Sequence, residues 1–173
     1  SWDLLREEER SVLAQLAVIE SPFSIEVAEA LVDGQPGGPW TLDVLTTLVE
    51  HNLVDVVVST GAILYQDVYQ ARGWAHYRGS VQADDAALRE LYVDRIYDTY
   101  IDEDELRACD DATKQIFDSI EAGAYSSREL IDAMGAYLAA NHPKNESIVL
   151  TCHRKRVPIF VPAFSDCSAG FGI

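Results

Sequence analysis

His51–Asp67, HNLVDVVVSTGAILYQD, is the stretch on which the fold turns. Its first half, Leu53 to Val58, is a short, β-branched and almost continuous apolar run. That pattern predicts a strand covered on both faces, as in a parallel sheet flanked by helices. The run stops at Ser59-Thr60-Gly61-Ala62, small residues that let backbone come close to a ligand. Helical spacing then takes over in Ile63, Leu64, Tyr65, Val68 and Tyr69. Strand, small-residue turn and helix in that order offer free N–H groups and a positive dipole end to an anion such as a phosphate. By pattern alone two readings stay open, a nucleotide site and a buried strand with an ordinary turn. Neither G-x-G-x-x-G nor G-x-x-x-x-G-K-[ST] is present to decide between them.

Downstream, Arg72–Ser80 is a loop rich in aromatics, with His76 read as a structural loop residue. Asp84 or Asp85 caps a short helix, and Arg95–Ile101 is apolar and aromatic. Asp102 and Glu105 spell a capping box for a long helix to about Ala122, stopped by Gly123. The carboxylates at 102–105 are explained by the first turn of that helix, without a metal. Ser126 and Glu129 repeat the box before a helix through Leu130, Ile131, Met134 and Leu138. Asn145 starts a further helix over Ile148, Val149 and Cys152, whose C-terminal end carries His153, Arg154, Lys155 and Arg156 in keeping with the dipole. Val157–Val161 reads as a second buried strand. Phe164-Ser165-Asp166-Cys167-Ser168-Ala169-Gly170 follows at its carboxyl end, where open α/β sheets place ligands.

Upstream, residues 1–20 read as an amphipathic helix ended by Ser21-Pro22, and Ser24 caps a second one. Thr41 caps a third through Leu42, Leu45, Leu48 and Val49. The 173 residues suit one domain or slightly more, and 48% hydrophobic content suffices for a core. A formal charge of −16 argues against nucleic acid and anionic membrane, and the third helix has no Lys or Arg with which to read DNA. No apolar run is long enough to span a bilayer, and no signal-peptide pattern is visible. Three widely spaced cysteines, Cys109, Cys152 and Cys167, fit reduced thiols in a cytoplasmic protein.

Four separated motifs resemble the deoxyhypusine synthase family and its bacterial relatives. They are HNLVDVVVSTGA with the later RGWAHYRGS, Arg95-Ile-Tyr-Asp-Thr-Tyr-Ile-Asp-Glu-Asp, Tyr125-Ser-Ser-Arg-Glu-Leu, and the ending from Val157 through VPIFVPAFSDCSAGFG. The resemblance runs from about Leu48 to the end. Residues 1–47 instead resemble the winged-helix module of AfsR-type signalling ATPases, on Ser1-Trp2-Asp3-Leu4-Leu5, Phe23-Ser24-Ile25-Glu26 and Pro39-Trp40-Thr41-Leu42-Asp43. The expected organisation is thus a helical winged-helix-like segment at 1–47 joined, inside the third helix, to a partial Rossmann-like α/β domain at 48–173.

The family resemblance implies NAD-dependent aminobutyl transfer from spermidine, in which an enzyme lysine captures the oxidised polyamine and passes the group to an acceptor amine. That acceptor is a lysine of a translation factor, or a second polyamine. It also implies a homo-oligomer, a tetramer in the family. Matched motif by motif, Ser59, Thr60, Gly61 and Ala62 fall in the cofactor turn, Asp67 in the pair that follows, and Asp166 with Ser168 in the second cofactor segment. Gln66 and Phe171 depart from the family pattern, and the departure at Phe171 points to the bacterial branch and leaves specificity for spermidine open. Lys114, Lys144 and Lys155 lie outside the family's catalytic motif. Turnover by this chain alone is therefore not expected. Two classes stay open: a transferase of this type, and a non-catalytic helical signalling or interaction protein that keeps part of the enzyme fold.

Overall fold

A computed structural model describes residues 5–16 and 41–171. The second predicted helix, after Ser24, lies outside the described residues, as does most of the winged-helix-like segment. The described elements are α1 (Glu7–Leu16), α2 (Thr41–Glu50), β1 (Val57–Val58), α3 (Gly61–Ala71), β2 (Tyr77–Arg78), α4 (Asp85–Glu90), β3 (Val93–Ile96) and β4 (Thr99–Asp102). They continue with α5 (Glu103–Asp118), α6 (Ser127–Asn141), α7 (Ile148–Lys155), β5 (Ile159–Phe160), a 3₁₀ turn (Phe164–Asp166) and α8 (Ser168–Phe171).

β1 and β5 pair in parallel, Val57 opposite Ile159 and Val58 opposite Phe160. The predicted strand at 53–58 shrinks to its last two residues, and its expected cover on both faces is corrected. Val57 and Ile159 face the core, but Val56 is 50%, Val58 37% and Phe160 42% exposed. Two strands leave one face of the sheet open, so burial alternates along each strand. Unforeseen is a separate antiparallel sheet, ordered β2-β4-β3, with Ile96 opposite Thr99 and Tyr77 opposite Tyr100. Tyr97, at its tight turn, adopts a left-handed φ of 57°. Of this sheet only Ile101 is fully buried in the core.

The helices pack on the parallel pair through Leu64, Val68, Tyr69, Ile116, Leu130, Met134, Leu138 and Val149, which belong to one apolar cluster. A second cluster joins Leu5 and Val12 of the N-terminal segment to Val44 and Leu48 of α2. Val49 of α2 lies in the main cluster, while Leu45 and Val54 pack against both. α2 is therefore continuous across residues 47 and 48, the expected domain boundary.

Capping follows sequence at α4 and α6 and departs from it in part at α5 and α7. Ser126 and Glu129 close a full reciprocal box at α6, and Asp84 caps α4 through the amide of Ala86. Asp102 accepts from the Glu105 amide at 3.0 Å. The Glu105 carboxylate does not complete the box, because it accepts from the Tyr69 hydroxyl at 2.8 Å. α5 also ends at Ser119 rather than near Ala122. The helix predicted from Asn145 begins instead after Ser147, whose hydroxyl accepts from the Leu150 amide. Asn145 donates its side-chain amide to the Ala71 carbonyl at 2.6 Å, tying the loop to the end of α3.

Candidate functional site

The parallel register brings the carboxyl ends of β1 and β5 to one edge of the molecule. The Val57 amide donates to the Pro158 carbonyl and the Ser59 amide to the Phe160 carbonyl, each at 3.0 Å, so pairing continues up to Ser59. Beyond it the chain turns into α3. Thr60 is the N-cap, in extended conformation, and its hydroxyl accepts from the Ile63 amide at 3.4 Å. Thr60 and Ala62 are exposed, whereas Gly61 is buried. The first turn of α3 thus presents backbone N–H groups and its positive end at the edge.

Ser59 differs from its neighbours. It is 5% exposed, and its hydroxyl has no hydrogen-bond partner among the described residues. A buried hydroxyl left unpaired costs about 1–3 kcal/mol, so its presence beneath a turn needs a reason.

The second turn comes from the other strand. After Val161 the chain passes through Ala163, a non-glycine residue at φ 52°, into the 3₁₀ turn and α8. Asp166 and Ser168 are exposed on this turn, while Phe164, Cys167 and Ala169 are buried beneath it. The two turns touch. A Cβ placed on Gly61 would lie 2.3 Å from Cys167 Sγ and 2.5 Å from Cys167 Cβ, so glycine is required for the observed approach. The Cys167 thiol donates to the Phe164 carbonyl at 3.1 Å. Ser59, Thr60, Gly61, Ala62, Asp166 and Ser168 therefore lie on adjoining turns.

Asp67 does not join them. It lies about 9 Å further along α3 at the usual helical rise. Both its oxygens face α7: it accepts from the Ser147 hydroxyl at 2.6 Å and from the amides of Ile148 and Val149 at 3.0 and 3.1 Å. Burial pushes its carboxyl up to about 6, against the pull of those three donors. Asp67 anchors one helix to another. His76 is likewise a brace, its two ring nitrogens bonded to Gln66 Oε1 at 2.5 Å and Gln70 Nε2 at 3.0 Å, and burial holds its pKa below the usual value. These partners favour the neutral ring with the proton on Nε2.

Sequence reading missed Ser147 and Cys167. The signal for Ser147 was its place three residues before Leu150, obscured by the stronger-looking Asn145. Nothing in sequence pairs Cys167 with Gly61, which are distant along the chain and meet only through the parallel register. The three cysteines are free and buried, and burial raises the thiols of Cys109 and Cys152 to about 11 and about 12. Among the described residues no helix is long and apolar enough to cross a membrane.

Parallel strands whose carboxyl ends share a ledge, flanked by helices, define the class: an α/β fold of the kind that receives ligands at that edge. Within that class the chain belongs to the deoxyhypusine synthase family, whose sequence model matches residues 40–173. It is 57% identical over 131 residues to a deoxyhypusine synthase-like protein of Chlorobaculum parvum, covering 75% of this chain and 37% of that protein. It is 52% identical over 128 residues to one of Coxiella burnetii, with 73% and 36% covered, and 44% identical over 145 residues to one of Caulobacter vibrioides, with 83% and 40% covered. In fold it is similar to the crystal structure of a deoxyhypusine synthase candidate from Entamoeba histolytica. There the TM-score is 0.56 at 17% identity, covering 98% of this chain and 59% of the other. The chain thus spans little more than a third of the length of the curated relatives it matches.

Proposed function

We propose that the ledge is half of an NAD site in an aminobutyl transferase of the deoxyhypusine synthase type. The observation that carries this reading is the unpaired, buried hydroxyl of Ser59 where the two parallel strands end. A ligand seated on the turns supplies the partner that the described residues do not. The α3 amino terminus receives a pyrophosphate, with Gly61 and Ala62 contributing backbone N–H groups and Thr60 the rim. Asp166 and Ser168, both exposed beside it, suit the hydroxyls of a ribose. Asp67 supports the site from behind by fixing α3 against α7. When bound, NAD supplies a hydride acceptor for oxidation of a polyamine.

The substrate in this reading is a polyamine, spermidine or the different amine of the bacterial branch, and the acceptor is an amine on a translation factor or a second polyamine. The protein works as a homo-oligomer in the cytoplasm, and the winged-helix-like segment ahead of the NAD-binding portion is joined to it through α2. Lys114, Lys144 and Lys155 are all exposed, and Lys114 is paired with Asp118. None of them has the desolvated setting of a nucleophilic lysine, so turnover calls for a lysine other than these three.

Thermal melting with increasing NAD tests the reading. Binding raises the melting temperature by mass action. No shift at millimolar NAD overturns it in favour of a non-catalytic helical interaction protein, which the separate apolar cluster of α1 and α2 supports.

A further inference from the structure

We propose that Cys167 and Gly61 act as a spacer that sets the separation of the two turns, so that side-chain volume at 61 and 167 jointly positions the groups facing the cofactor. The cofactor half of this inference rests on the function proposed above. The spacing half stands on geometry alone.

The thiol of Cys167 is buried and held by the Phe164 carbonyl, so it cannot swing away without breaking that contact. The turn that carries it is itself tightly wound. A Cβ on Gly170 would fall 2.1 Å from the Phe164 carbonyl oxygen and 2.6 Å from Ser165 Cα. The Gly170 amide donates to the Cys167 carbonyl at 2.8 Å. Ala163 enters the turn in the left-handed region, which a side chain disfavours. A stiff turn presses a sulfur against the bare backbone of the first residue of α3. Volume added at Gly61 therefore moves the start of α3 rather than the cysteine, and with it the N–H groups and Ser59. Cys167 contacts Gly61 rather than the outer ledge, which makes it a positioning residue.

The test uses Gly61→Ala, Cys167→Ala, Cys167→Gly and the double variant Gly61→Ala/Cys167→Gly, each read by cofactor-free melting and by the fluorescence enhancement of NADH on binding. Gly61→Ala is expected to lower the melting temperature and weaken NADH binding by about tenfold or more, while Cys167→Gly, which removes the spacer, weakens binding by about threefold. The double variant regains both signals. Combining Gly61→Ala with Cys167→Ala regains little, because Cys167 Cβ alone lies 2.5 Å from the added methyl.

Additive effects on melting overturn the spacer. So does a double variant that fails to fold while Cys167→Gly folds. Coupling in melting without coupling in the NADH signal overturns the positioning role. Coupling in melting with no NADH binding even by the unsubstituted chain overturns the proposed cofactor site and leaves the spacing intact.

Discussion

Ser59 directly follows β1 and Asp67 lies within α3, the helix that comes next, and both are almost wholly buried, at 5% and 4% exposed. Their surroundings are opposite. Asp67 receives three hydrogen bonds from the start of α7, and Ser59 Oγ receives and gives none among the described residues. Burial of a polar group is thus two different statements within a few residues. Where every donor and acceptor is matched, the group is holding the fold together. Where one is left unmatched at the end of parallel strands, the fold carries a cost that a ligand can remove.

That contrast can be broken most decisively at Asp67. Asp67→Ala leaves the Ser147 hydroxyl and two amides without their acceptor, and should cost about 3 kcal/mol or more in chemical denaturation. A loss below about 1 kcal/mol would mean that α7 is held by packing alone. The pH profile sharpens the same point. The folded carboxyl keeps its proton up to about 6, against a reference value of 3.8. Through this group the folded state therefore gains stability as pH falls from 7.5 to 5, by about 1 kcal/mol, and loses it again as pH rises through 6. Asp67→Asn should flatten that slope; an unchanged slope would assign it to other groups.

Ser126→Ala, which removes half of a fully reciprocal but exposed box, should cost about 1 kcal/mol in the same denaturation experiment. The only expected gain in stability belongs to Ser59→Ala, by about 1 kcal/mol, since an unpaired buried hydroxyl leaves. The same substitution should abolish or reduce the melting shift caused by NAD. A large loss of stability with normal NAD binding would reverse the roles assigned to the two residues.

Much of this was legible because short-range rules govern it. Ser126 with Glu129, Asp84 or Asp85 at the start of α4, and the small residues at 59–62 that end a strand all act within one turn of chain. The strands were placed correctly but read too long and too buried: Leu53–Val58 is apolar enough for a central strand, yet only Val57 and Val58 find a partner. Whether a hydrophobic run is covered depends on what else packs there, which no local pattern records. Asp102 and Glu105 show the same limit. Their spacing specifies a capping box, but Tyr69, from another helix, takes the second carboxylate. The family resemblance places Asp67 in the pair that follows the cofactor turn. Helix geometry turns it toward α7 instead.

α2 has a practical corollary for anyone dividing the protein. Because Val49 closes the main interior while Val44 and Leu48 close the smaller one, and Leu45 leans on both, the helix works as a dowel between two timbers. An expression clone started at residue 48 would pull half of that dowel out, and the remaining piece would be judged unstable for a fault introduced by the cut.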